Sequence, residues 1–143
     1  MDDPNRYPYF ALMNGDGLCG AVLISKRFVL TAAHCVGADN DFEIGISQIN
    51  DGTEYRYKRV FVHPNYNDAN VNSDIAIYEL EQDVPDNLNY IRLEQSPVNI
   101  VGTQLTVIGF GDTNPSKNVD AISDDLLQTN VDYVSQNVCI GQE

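Results

Sequence analysis

Two residues able to move a proton stand in contexts that set them apart in this 143-residue chain. His34 lies in Thr31-Ala32-Ala33-His34-Cys35, directly after the apolar run Phe28-Val29-Leu30. That string puts an imidazole where a buried strand ends. A cysteine beside it can anchor the backbone, and two alanines leave room for the ring to turn toward a cleft. Asp74 stands further on, in Asn72-Ser73-Asp74-Ile75-Ala76-Ile77-Tyr78-Glu79-Leu80. A carboxylate at the start of an apolar strand sits half-buried, and a buried charge without a partner is costly. A neutral imidazole whose other nitrogen faces a substrate suits it as that partner, and such a pair can shuttle a proton. Each residue also has a plain structural reading, since lone histidines usually pack in place and acids ahead of strands are common.

A nucleophile is missing from this picture. Ser25, Ser47, Ser73, Ser96, Ser116, Ser123 and Ser135 all lack a flanking glycine that would expose the hydroxyl on a tight turn. There are three cysteines, Cys19, Cys35 and Cys139, and the odd count leaves at least one thiol without a partner in the chain. Metal ligation is poorly supported: the loop 47–54 offers Asp51 and Glu54 alone, thin for a calcium ion that takes 6–8 oxygens. The sequence therefore predicts no metal and no cofactor. His63, followed by Pro64, reads as a structural loop residue.

The elements that must hold His34 and Asp74 read as strands. Short apolar or alternating runs cover 9–12, 18–24, 28–31, 42–46, 55–63 and 75–80, then 104–110 and 126–134. Tyr55-Arg56-Tyr57-Lys58 alternates as a strand with one wet face does. Turn signals fill the gaps: Asn14-Gly15-Asp16-Gly17, Asn50-Asp51-Gly52, His63-Pro64-Asn65, Asp83-Val84-Pro85-Asp86 and Gly111-Asp112-Thr113-Asn114-Pro115. Helix is scarce, with Ser135 placed to N-cap a short one through Cys139. Six strands by about residue 80 predict a closed antiparallel barrel, and the last two strands begin a second unit.

Composition bounds the function. A hydrophobic content of 43% supports a real core, and a formal charge of −13 argues against nucleic acid, which calls for clustered Lys and Arg. The acids, among them Asp2, Asp3, Asp39, Asp41, Asp68, Asp83, Asp86, Asp124 and Asp125, are scattered and read as a solvated surface. The longest apolar run, Ala21-Val22-Leu23-Ile24, is far below the roughly 20 residues of a membrane span, so no membrane association is expected. Met1-Asp2-Asp3-Pro4-Asn5 has neither the basic nor the apolar region of a secretory signal.

Taken in order, five strings resemble the trypsin/chymotrypsin family of serine proteases. They are Leu18-Cys19-Gly20-Ala21-Val22-Leu23-Ile24, Val29-Leu30-Thr31-Ala32-Ala33-His34-Cys35, His63-Pro64-Asn65-Tyr66, Asp74-Ile75-Ala76-Ile77 and Val107-Ile108-Gly109-Phe110-Gly111. Tyr7-Pro8-Tyr9 resembles the family's first strand, and the stretch from Leu127-Gln128 to Val138-Cys139 resembles a strand and helix of its second barrel. The resemblance runs over residues 6–143. It implies an all-β, chymotrypsin-like antiparallel barrel fold, with a complete first barrel over 7–103 and only the start of a second over 104–143. It also implies a Cys19–Cys35 disulfide beside the active site, His34 as general base, and Asp74 as the group that orients His34.

The chain departs from the family pattern as well. The Gly-Asp-Ser-Gly-Gly string that carries the family's nucleophile has no counterpart, Gly111-Asp112-Thr113 being the nearest echo. With the serine go its oxyanion-hole amides. The Ile-Val-Gly-Gly segment before Tyr7 is missing too, and Cys139 lacks the downstream cysteine with which it would pair. Gly20-Ala21 replaces the usual Gly-Gly, a change expected to crowd the backbone near the cleft, and Ser73 stands where the family often has Asn.

These features predict a serine-type endopeptidase by descent, truncated and inactive as this chain. Its substrates in full-length form are peptides or proteins, and its location is extracellular by resemblance. The rival expectation is a non-catalytic protease homologue that binds partners. Truncation would also leave strands 104–110 and 126–134 without sheet partners, so self-association through exposed edges is expected.

Overall fold

The computed structural model describes residues 6–14, 17–37, 41–112, 122–139 and 141. Gly15 and Asp16 of the first expected turn, Thr113, Asn114 and Pro115 of the last, Ser116, and the acids Asp2, Asp3 and Asp39 lie outside them. The chain divides into two compact units, Met1–Arg92 and Leu93–Glu143.

In the first unit, β1 (Phe10–Asn14), β2 (Cys19–Leu23), β3 (Phe28–Thr31), β4 (Asp41–Ile44), β5 (Thr53–Tyr55), β6 (Tyr57–Val62) and β7 (Ala76–Leu80) build one antiparallel sheet. Its order is β5-β4-β1-β2-β3-β7-β6. Only Arg56 separates β5 from β6, so the two ends of that order are consecutive pieces of one run. The sheet therefore curls until it meets itself. The first half of the run pairs with β4 and the second half with β7. The sequence predicts this run as a single strand over 55–63. It is broken at Arg56 instead, where the run leaves its pairing with β4 and takes up pairing with β7. The register also slips between the Tyr57–Leu80 and Arg59–Glu79 pairs, the kind of bulge that bends a strand and tightens its twist.

Period-two alternation supplies the core. Ala11 and Met13, Ala21 and Leu23, Val29, Phe42 and Ile44, Tyr55, and Tyr78 and Leu80 all enter one buried cluster. Within each strand the members are two apart, as the pleat requires. Ala21 thus adds its methyl group to this core (6% exposed). The crowding of the cleft expected from the Gly-to-Ala change does not occur, because position 21 points to the opposite side from Gly20. Glu79 is also buried, and Arg59, directly opposite it in the ladder, approaches the same carboxylate oxygen with Nε at 2.7 Å and Nη2 at 2.6 Å.

The second unit carries β8 (Gln104–Gly109) paired antiparallel with β9 (Leu127–Asp132), followed by α1 (Gln136–Cys139). The Ser135 hydroxyl accepts the Val138 N–H at 3.4 Å, the cap that the sequence predicts. Gly102 N–H donates to the Tyr133 carbonyl at 2.9 Å and Tyr133 N–H to the Thr103 carbonyl at 2.8 Å, which ties the approach to β8 onto the end of β9. No helix among the described residues is long and apolar enough to cross a membrane.

Candidate active site

Sheet register brings His34 and Asp74 together. β3 and β7 are antiparallel neighbours, and Thr31 at the end of β3 pairs with Ala76 at the start of β7. Residues just past Thr31 and just before Ala76 must then emerge at the same end of the ladder. Beyond β3 the chain passes through extended Ala32 (φ −78°, ψ 149°) into a single 3-10 turn, Ala33–Cys35. The Val36 N–H closes that turn on the Ala33 carbonyl at 3.0 Å. The turn presents the imidazole at the surface.

Asp74 holds His34 at two points. Oδ2 lies 2.7 Å from His34 Nδ1, and Oδ1 accepts the backbone N–H of His34 at 2.8 Å. The His34 side chain is 56% exposed and that of Asp74 only 20%, so a sheltered carboxylate supports a ring that faces solvent. With Oδ2 accepting Nδ1–H, a neutral ring carries its lone pair on Nε2. Such a nitrogen can take a proton from a hydroxyl or thiol, and the carboxylate stabilises the cation that results. Among the described residues no serine hydroxyl hydrogen-bonds this nitrogen. Its neighbour is Cys35 Sγ at 3.5 Å.

The hydrogen bond from the His34 ring, then that from its backbone N–H, holds the Asp74 carboxyl below its ordinary value. A carboxyl with a depressed pKa in the fold stabilises the fold above the ordinary carboxylate range, near 3.9, and loses that contribution as pH falls through the depressed value. Denaturant unfolding of the native protein and of Asp74→Asn should therefore show a stability gap at pH 6 that closes below about pH 4. A gap that widens on acidification would contradict the sign.

The loop delivering Asp74 is unusual in its backbone. Val71 and Ser73 both have φ of +56°, a left-handed conformation that is costly for β-branched residues and is most easily adopted by Gly, Asn or Asp. The Ile75 N–H reaches the Ser73 carbonyl at 2.8 Å, making a tight turn around Asp74. An asparagine at position 73, as the resembled family often has, would suit that conformation better than serine. Tyr66, in the same loop, donates its hydroxyl to Asp68 Oδ1 at 3.0 Å. Burial first, then the Asp68 hydrogen bond and the charges of Asp68 and Asp74, push its phenol above its ordinary value. In the sequence Tyr66 stands out only within a family string and Asp68 only among the scattered acids, because their pairing depends on loop curvature that leaves no periodic signal.

Cys19 and Cys35 form a disulfide with Cα atoms 6.2 Å apart, and Cys139 is a free, exposed thiol. The sulfur pair and His34 are the one group among the described residues with metal-ligand spacing, but both sulfurs are engaged with each other. His63 takes a loop role, its Nδ1 accepting the Asn65 N–H at 3.1 Å. Asp51 accepts the Ser47 hydroxyl at 3.0 Å.

A curled antiparallel sheet carrying a carboxylate-held imidazole at one ladder end, with a second small sheet, is a chymotrypsin-like fold. The family model described as Trypsin matches residues 2–143, and the chain belongs to that family. It is 36% identical to trypsin 5G1 of Aedes aegypti over 92% of this chain and 52% of that one. It is 35% identical to chymotrypsin-like elastase family member 1 of Rattus norvegicus over 85% of this chain and 48% of that one. Cathepsin G of Mus musculus is 28% identical over 94% and 56% respectively. Among solved structures, neuropsin, a serine protease expressed in the limbic system of mouse brain, superposes with a TM-score of 0.85 at 26% identity, over 96% of this chain and 65% of that one. The chain thus spans about half the length of the curated relatives it matches.

Proposed function

We propose that this chain supplies the base-bearing part of a trypsin-like serine endopeptidase whose substrates are peptides or proteins. The observation that carries the reading is the double grip of Asp74 on His34, at Nδ1 and at the backbone N–H. A merely structural histidine needs no such fixing of its tautomer. In this reading His34 is the general base and then the general acid of acyl transfer, and Asp74 orients it and stabilises the imidazolium. The nucleophile and the oxyanion-hole amides are not among the residues of this chain, so it does not run the cycle by itself. An extracellular location fits both the family and the Cys19–Cys35 disulfide.

Purified as these 143 residues, the protein is expected to hydrolyse no peptide or ester substrate above a His34→Ala control. His34-dependent hydrolysis would overturn the assignment of a missing nucleophile. Sequencing the transcript beyond residue 143 tests the family role itself. An in-frame Gly-Asp-Ser-Gly-Gly string supports the endopeptidase, and its absence would favour a partner-binding homologue instead.

Self-association belongs to the same reading. Among the described residues β8 and β9 pair only with each other, and Val107 (51% exposed), Leu127 (39%) and Val131 (42%) present apolar surface. Open strand edges template further pairing, and at assay salt the repulsion from the net charge of −13 is screened beyond ~8–10 Å. Light scattering should report a mass above that of the monomer, and a monodisperse monomer would refute the expectation.

A further inference from the structure

The Cys19–Cys35 disulfide closes against the candidate base itself. Cys35 Sγ lies 3.5 Å from His34 Nε2, within hydrogen-bond reach for sulfur, while Asp74 Oδ2 sits 2.7 Å from Nδ1 on the far side of the ring. Carboxylate, imidazole and sulfur are thus in line, in the order that activates a thiol nucleophile. In the oxidised protein this sulfur has no proton to give. We propose that Cys35 is a latent nucleophile: opening of the disulfide by a dithiol reductant releases it as a thiolate paired with the His34 imidazolium, a site for small soft electrophiles and for thiol–disulfide exchange.

A reductant thiolate attacks Cys19 Sγ, forming a mixed disulfide there. The Cys19–Cys35 bond breaks, and Cys35 Sγ leaves with the electron pair. The second thiol of the reductant then displaces Cys19, yielding the Cys19 thiol and the cyclic oxidised reductant. The protein gains two electrons and two protons in total. One of those protons rests on His34 Nε2, the other on Cys19. An electrophile such as iodoacetamide then forms a sulfur–carbon bond at Cys35 and expels iodide. Attack at Cys19 is the favoured direction because the leaving sulfur is the one that the imidazolium stabilises, and better leaving thiolates depart faster. Cys35 Sγ is within hydrogen-bond reach of Nε2 at 3.5 Å, while Cys19 Sγ lies within 4.8 Å of the His34 ligand atom.

The two sulfurs should therefore differ in reactivity once released. An ordinary thiol, with a pKa near 8.5, is about 1% thiolate at pH 6.5. A neighbouring imidazolium can bring that value down by about two units, which raises the thiolate fraction roughly fiftyfold. Lower basicity costs nucleophilicity, roughly eightfold for a Brønsted coefficient of about 0.45. The net advantage of Cys35 is then about sixfold.

The test uses the intact chain, reduced with dithiothreitol and pulsed with iodoacetamide at pH 6.5, with each cysteine followed by peptide mass spectrometry. Cys35 should be alkylated about sixfold faster than Cys19 in the same molecules. The ratio should fall to about one in His34→Gln and be unchanged in His63→Gln, whose ring contacts Asn65 instead. His34→Gln keeps a polar side chain at the position beside Cys35 Sγ but removes the basic nitrogen now 3.5 Å from it, so a change in ratio absent from His63→Gln reports the imidazole. Equal rates in the native sequence, or a ratio that survives His34→Gln, would overturn the proposal. If reduction unfolds the chain, Cys19→Ser supplies a Cys35 thiol without reductant. Cys35 should then react faster than the exposed Cys139, and that advantage too should vanish with His34→Gln. The readout is alkylation, not peptide hydrolysis, so its outcome is separate from that of the protease reading.

Discussion

In the serine endopeptidase proposed above, changing Asp74 to Asn is expected to lower kcat by about 10⁴-fold, a loss of the size established for this substitution in the family's own triad. The reason lies in the two contacts of one carboxylate. An asparagine keeps the shape and can still accept the His34 backbone N–H with its carbonyl oxygen, the bond now 2.8 Å long at Oδ1. Its amide NH₂ then falls opposite Nδ1, where Oδ2 stands at 2.7 Å. A donor there selects the tautomer protonated on Nε2, the atom that must receive the proton. KM should change far less than kcat, because Asp74 is sheltered behind the ring at Nδ1, on the side away from Nε2. A loss below about tenfold would show that His34 acts without its partner, and the site would have to be reassigned.

Tyr78→Ala is expected to destabilise the first unit by about 3–5 kcal/mol, read from urea unfolding. Tyr78 is fully buried at the centre of the core cluster. Its ring meets Phe42 edge-on with centroids 5.0 Å apart, and Tyr57 in the same manner, also at 5.0 Å. Truncation removes both contacts and leaves a cavity between β4, β6 and β7. Each aromatic pair contributes roughly 0.5–1.5 kcal/mol beyond the area it buries. Domain stabilities run to only about 5–15 kcal/mol, so this one side chain accounts for a large share. A loss under about 1 kcal/mol would mean that the curled sheet does not depend on its aromatic centre. Because Tyr78 and Asp74 lie on the same strand and its approach, the variant should also loosen the His34 pair before the chain unfolds globally.

Much of this protein was legible from residue order alone. Period-two alternation marked the strands that line the core, since a pleated strand must send alternate side chains inward whatever its partners are. The strings around His34 and Asp74 marked two strand ends and pointed to a pair. They did so because small residues after a buried strand leave room for the ring to turn, and a sheltered acid calls for a partner. Strand ends could be misjudged by a residue or two without harm to that conclusion. Sequence was a poorer guide where a residue's direction depended on its neighbours in space. Ala21 points into the core and not toward the cleft, because β2 takes its facing from its pairing with β1.

Tertiary structure decided the rest. That Thr31 pairs with Ala76 is a matter of register between strands distant in sequence, and only this register sets Asp74 against both the ring and the backbone of His34. The division of one predicted strand into β5 and β6 at Arg56 follows from closure of the curled sheet, a constraint that no local window contains. The contact between Cys35 Sγ and His34 Nε2 arises because the 3-10 turn folds adjacent residues so that ring and sulfur meet. Local composition determines which residues want to be buried, capped or turned. Which of them face one another is settled by the sheet as a whole, whose register and curvature satisfy every strand at once.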